Sequence, residues 1–266
     1  MNSIDILTII NQNNHELLST LIEKEGKIAV LSEFANILDK RAYITIDING
    51  ELKRKEGSII LPFFAYINNS HELANNILKS LDLREKQNFD KIERFSNLDI
   101  EKVKKNFIKT ILNGNLEFAK KYGKELFLRD NDTFYKLLAS FVTIGDSDSL
   151  KGLFMLSLKK LMTEFNDNVF TLFISYITKY RDNTAIYEKS PSTDLTIIEL
   201  KENLLKNKEL LYSKLGLGIL TNLYILENYD IANKNNVINK LAFEIKNYYN
   251  LKPLSNEEKQ ILDMFL

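Results

Sequence analysis

The side chains that usually carry chemistry are few in this 266-residue chain, which holds two histidines, no cysteine and no tryptophan. Without cysteine there can be no disulfide, no thiolate nucleophile and no thiolate-held zinc or iron–sulfur cluster. His15 follows Asn13-Asn14 and His71 follows Ser70, each in the first turn of an expected helix, so the simplest role for these positions is helix capping. The run His71-Glu72-Leu-Ala-Asn75 begins like a zinc-protease helix. That motif needs a second imidazole on the same face, and Asn75 takes its place, so the ligand count fails. No Gly-x-Ser-x-Gly elbow exists to present a serine to either histidine.

Two other patterns invite a chemical reading. Gly145-Asp-Ser-Asp-Ser149 has the Asp-x-Asp spacing that can hold a divalent cation. It stands just before an expected helix starting at Leu150, as Asn131-Asp132 and Asn166-Asp167 stand before theirs, so capping of orphan amides is the expectation. Gly216-Leu-Gly218 opens like a dinucleotide loop but lacks the third glycine and the strand before it, so the glycines are expected to allow close helix contact. We therefore expect no metal, no cofactor and no catalysis. Surface charge remains: Lys120, Lys121 and Lys124 fall on one expected helix, and Lys159 and Lys160 on another. Lysines converging in a groove would receive the carboxylates of an acidic protein or peptide.

Composition bounds the elements that must hold these lysines. The chain balances 36 Lys plus Arg against 36 Asp plus Glu, with 44% hydrophobic and 27% charged residues, enough to bury a core. Zero net charge argues against general affinity for nucleic acid or an anionic membrane. The uncharged stretches Gly57 to His71 and Leu215 to Leu226 fall short of the roughly 18 to 20 apolar residues of a membrane span, and Met1 to Gln12 lacks a basic start. The expectation is a soluble, cytoplasmic protein. Lysine outnumbers arginine 30 to 6, which reads as codon bias and carries no functional weight.

With nine Gly and three Pro, punctuation is sparse and a mainly α fold follows. The exception is Arg41 to Gly50, where apolar and β-branched residues alternate into Asn49-Gly50, a hairpin signal. Ser58 to Tyr66 is expected to pair with it as a second strand, at an edge because Pro62 cannot donate to a ladder. Residues 1–95 thus form a small N-terminal α+β module containing a β-hairpin, with helices near 13–24, 28–39 and 71–83. The Lys53-Arg54-Lys55 run after the turn raises an alternative, a nucleic-acid-binding regulator with a winged-helix-like module and a helical effector domain. Against it, residues 1–95 hold 12 basic and 14 acidic side chains, and the helix before the hairpin is mostly apolar.

Beyond residue 96 the chain reads as amphipathic helices, and a shift of 35 residues sets Asn131 to Thr143 over Asn166 to Thr178, aligning Leu137 with Leu172. A further shift of 34 sets Ile100, Val103, Phe107 and Ile108 under Phe134, Leu137, Phe141 and Val142. Another helix precedes each copy, Leu116 to Leu128 and Leu150 to Thr163, so the unit is a helix pair. Over 97–181 this pattern resembles the tetratricopeptide class of repeat. Ala119 and Tyr122-Gly123 stand in the first helix of one unit, while that family's tryptophan and Gly-Tyr in the first helix and its closing proline are missing here. The resemblance implies a stacked, α-solenoid-like body over 96–187, with Lys124 and Lys159 at equivalent positions on the partner-facing helices.

Phe118, Phe127, Phe141, Phe154 and Tyr176 are expected in the core. Asp182 to Thr193 reads as a loop. A C-terminal helical region over 194–266 follows: a helix capped at Asp194 or Thr196 and running to Tyr212, a buried helix over Leu215 to Leu226, and a stripe of Val237, Ile238, Leu241, Ile245 and Tyr249. A last helix opens on the capping box Ser255 to Glu258 and docks through Met264, Phe265 and Leu266.

Overall fold

A computed structural model describes residues 6–40, 42–84, 89–93 and 96–266. Arg41, which opens the alternating run, lies outside them, as does Phe95 at the end of the expected first module. Among the described residues the fold is mainly α, with one two-stranded antiparallel sheet near the N-terminus.

The first helices are α1 (Ile6–Gln12), α2 (His15–Glu25) and α3 (Lys27–Leu38). Asn14 caps α2 by accepting from the Leu17 amide, which puts His15 in the first turn, its Nε2 3.0 Å from the Asn13 side-chain nitrogen. The hairpin pairs β1 (Ile44–Ile46) with β2 (Leu52–Arg54), with Ile46 opposite Leu52. Asp47 closes its turn by accepting from the Asn49 and Glu51 amides, and Gly50 supplies the positive φ of 81°. The expected second strand is instead helix α4 (Ile60–Tyr66). Its residues from Ile60 to Ala65 are all buried, and a short, fully buried run has no periodicity to distinguish strand from helix. Pro62 sits in the first turn, where a missing N–H costs nothing. α5 (Ser70–Ser80) follows, capped by Asn69 rather than Ser70.

Helices α6 (Ile100–Leu112), α7 (Leu116–Arg129), α8 (Asn131–Val142), α9 (Lys151–Leu161) and α10 (Asp167–Lys179) form the body. α7 and α8 make one pair, α9 and α10 a second, and the pairs stack with α8 against α9 and α7 against α10. Side chains of Asp130 and Asn166 cap the second helix of each pair. The N-terminal segment covers this body, α3 lying on α10 and α4 on α9. α10 is consequently buried at every position from Val169 to Thr178.

The expected loop after Arg181 contains a short helix, α11 (Ala185–Lys189). Thr196 and Glu199 form a capping box on α12 (Ile197–Lys206), which stops at Asn207 because that side chain caps a new helix, α13 (Lys208–Leu211). The remaining helices are α14 (Lys214–Asn228), α15 (Lys234–Lys246) and α16 (Asn256–Asp263), the last with the expected Ser255–Glu258 box. One hydrophobic cluster runs from Ile9 to Leu262, so the three sequence segments share a core. Phe127, Phe154 and Tyr176 are in it and Phe141 packs against it, but Phe118 is exposed. On α15 the inner face carries Val237, Lys240, Leu241 and Glu244, while Tyr249 stands in solvent.

The two glycines of α14 are contact points. A Cβ on Gly216 would overlap the Leu210 carbonyl, and one on Gly218 the Ser147 carbonyl. Gly218 thereby lets the loop before α9 lie directly on α14. Alanine at 218 gains about 1 kcal/mol of helix propensity but meets main chain rather than a movable side chain, and overpacking costs about 1–3 kcal/mol or more. Gly218→Ala is expected to lower the urea midpoint; a midpoint unchanged or raised would show that the loop can retreat from α14.

Candidate partner-binding surface

Helix α9 enters the core at Lys151 and stays buried through Leu158, so its last turn is where it first meets solvent. That turn carries Lys159 and Lys160, both exposed, at the end of the helix where carbonyl dipoles favour cations. Their ammonium groups lie over aromatic faces: Lys159 is 4.7 Å from the Tyr229 ring centre and 5.4 Å from Tyr135, and Lys160 is 5.3 Å from Tyr66. Each such contact is worth about 0.5–1 kcal/mol at an exposed site and fixes a long side chain. Neither lysine pairs with a carboxylate among the described residues.

Around them lies a groove of about 470 Å³ whose walls include Tyr66 from α4, Tyr224 and Tyr229 from α14 and its C-cap, and Phe265 beyond α16. The Phe265 ring centre sits 5.2 Å from Tyr66 and 5.6 Å from Tyr224. Burial, followed by the neighbouring Tyr224 and Tyr229, raises the Tyr66 phenol above its ordinary range, so it stays neutral and does not compensate the lysines. Lys160 also borders a second cavity, of about 550 Å³, with Lys27 on its wall. Lys27 donates to the Ile67 carbonyl at 2.6 Å and to Asn68 Oδ1 at 2.7 Å.

The other three sequence-predicted lysines do not join this groove. Lys124 is held inside the body, donating to Asp167 Oδ1 at 2.8 Å and to the Ile92 carbonyl at 2.9 Å. Lys121 pairs with Glu117 at 3.0 Å across one helical turn. With Lys120 they line a separate cavity of about 1020 Å³, where Asp90, Glu93 and Glu117 supply opposite charge. The lysines on α7 and those on α9 thus face different surroundings although Lys124 and Lys159 coincide at the 35-residue shift. Of the groove's walls, sequence reasoning found the two lysines and the docking of Phe265. Tyr66, Tyr224 and Tyr229 come from separate segments, and no local pattern ties them together.

The acidic loop does not cap α9 as expected. Ser147–Ser149 forms a 3-10 turn, and the residue before α9 is Leu150 in a left-handed conformation (φ 58°) with no side-chain cap. Among the described residues no group of three or more His, Asp or Glu is arranged to hold a metal ion. The loop is instead clamped from α15. Buried Lys240 donates to the carbonyls of Thr143 at 2.8 Å and Gly145 at 2.7 Å. Glu244 accepts from the Ser147 amide at 3.1 Å and hydroxyl at 2.6 Å, and Asn222 donates to the same hydroxyl at 3.0 Å. Lys151 meets Asp182 at 2.5 Å, and Tyr176 donates to the Ser149 carbonyl.

No family model, curated protein or solved structure matches the chain. The site therefore rests on its own geometry.

One group in the loop titrates in an accessible range. Burial, then the charges of Asp148, Glu244 and Asp182, push the Asp146 carboxyl up to about 6, with Lys240 opposing. A folded value above the unfolded one of about 3.9 means that folding favours the protonated form. That contribution is complete below about pH 4 and is lost as pH rises through about 6. Asp146→Asn is expected to match wild type in unfolding free energy near pH 4 and to exceed it near pH 7. The excess is on the order of 1 kcal/mol once screening of a partly exposed group is counted. A difference that does not vary with pH would contradict this assignment.

Proposed function

We propose that this chain is a non-catalytic protein-interaction or adaptor protein that holds an acidic partner segment against Lys159 and Lys160. The observation that carries the reading is an imbalance: in a chain of zero net charge, these two cations lie on aromatic rings in an open groove without a carboxylate partner. A partner supplying carboxylates would gain charge pairing and cover apolar ring surface at once. The duplicated helix pair of the tetratricopeptide-like resemblance is part of this reading, since a stack of short helices presents helix ends and the grooves between them.

Binding fits better than catalysis. The cluster of Glu56, Asp148, Lys214, Lys252 and Glu258 encloses about 20 Å³, room for little more than one water. Its charges are already matched, Lys214 with Glu56 and Glu258, and Lys252 with Glu56 and Asp148. The winged-helix alternative finds less support, because Lys53 pairs with Asp47 and the Arg54 guanidinium donates to the Arg181 carbonyl. A reducing compartment such as the cytoplasm suits a cysteine-free chain, and no helix among the described residues is long and apolar enough to cross a membrane.

A photo-crosslinking side chain at Asn228, on the groove wall, tests the reading. The peptide it captures should be rich in Asp and Glu, and the yield should fall about fivefold or more in Lys159→Glu/Lys160→Glu or when salt rises from roughly 50 to about 500 mM. Equal yield in the doubly substituted protein, or capture of a basic segment, would defeat it.

A further inference from the structure

The groove combines open cations with an apolar slot that the chain itself fills. Lys159 and Lys160 are open, Lys160 resting over the Tyr66 ring. Phe265, past the last turn of α16, packs against the same Tyr66 and against Tyr224. Its neighbours Met264 and Leu266 are 60% and 57% exposed, so Phe265 is the apolar anchor between two solvent-facing residues. The backbone holds it through one bond, from the Phe265 amide to the Leu262 carbonyl.

Resting on the function proposed above, we infer that the partner segment carries an aromatic side chain flanked by carboxylates, and that this ring takes the slot between Tyr66 and Tyr224 now filled by Phe265. Three observations converge on this chemistry. The slot accepts a phenyl ring, because one is seated there with tilted and edge-on geometry. The lysines lie on the walls of the same groove, so a ring and its flanking carboxylates can be satisfied by one short extended segment. The seated ring packs on the rim of the core, past the last turn of α16 and between exposed Met264 and Leu266, so its departure would open the slot while α16 keeps its buried Ile261 and Leu262. Phe265 therefore acts as an internal competitor: partner binding must displace it, and the affinity of the intact protein is reduced by the fraction of time the slot is filled.

Two fluorescein-labelled peptides separate this inference from the reading beneath it, one with a phenylalanine between two runs of four glutamates and one with alanine in its place. In fluorescence anisotropy, wild type should bind both weakly. Phe265→Ala should tighten the phenylalanine peptide about tenfold, leaving the alanine peptide within about twofold. Phe265→Trp, which refills the slot, should not tighten either peptide. Lys160→Met should weaken both peptides in every background. If Phe265→Ala, shown to be folded by circular dichroism, leaves the phenylalanine peptide unchanged or weaker while the lysine dependence persists, the aromatic slot is wrong and the acidic groove stands. If neither peptide responds to Lys160→Met, the groove reading falls and the slot with it. A single-stranded oligonucleotide that displaces the peptides through the same lysines would reassign the occupant and overturn both.

Discussion

The structure depends on satisfying the main chain of one buried turn. Residues 143 to 150 run between α14 and α15, where an unpaired carbonyl or amide would cost about 1–3 kcal/mol each. Lys240 and Glu244, one turn apart on α15, meet that demand by bonding to the loop's carbonyls, amide and hydroxyl. Burial depresses the Lys240 ammonium, and Glu244 and the nearby aspartates oppose that depression. The loop needs a donor for two carbonyls at one point and a carboxylate at another, and these two side chains supply them. The loop's position in turn sets where α9 begins, and eight buried residues later α9 delivers Lys159 and Lys160 to the surface.

Electrostatics are otherwise settled locally. Surface pairs such as Lys121 with Glu117 and Lys206 with Glu202 follow the one-turn spacing on helices and contribute little individually. Longer-range pairs tie segments together: Asp39 at the end of α3 meets Lys179 on α10 at 2.7 Å and accepts from Ser175 at 2.7 Å. Lys159 and Lys160 are held in another way, over ring faces and with no carboxylate among the described residues. That aromatic floor, rather than the number of lysines, distinguishes the groove.

Much of the architecture was legible because helices announce themselves by apolar spacing and caps. Ser255 with Glu258 is a local pattern and forms the box expected of it, and of the two caps expected for the earlier helix Thr196 is the one used, in a box with Glu199. Ile60 to Tyr66 misled because a segment buried on every side loses the periodicity that separates strand from helix. The role of the acidic loop was hidden for a different reason: its partners Lys240 and Glu244 lie 95 to 97 residues away and bond largely to main chain, which leaves no compositional trace. The groove was half legible. Its lysines stood out by type and Phe265 by position, but the tyrosines that give the lysines a floor are brought together only by the fold.

The burial of α10 bears on how the chain is made. Its principal neighbours, α3, α6, α7 and α9, all precede it in sequence, so on a ribosome the main surfaces that cover this apolar helix already exist when it emerges. The turn at 143 to 150 has the opposite fate. Its clamp on α15 is translated nearly a hundred residues later, and in the interval its carbonyls are left to water. Synthesis from the N-terminus thus supplies the main cover of α10 early and the clamp on the turn late.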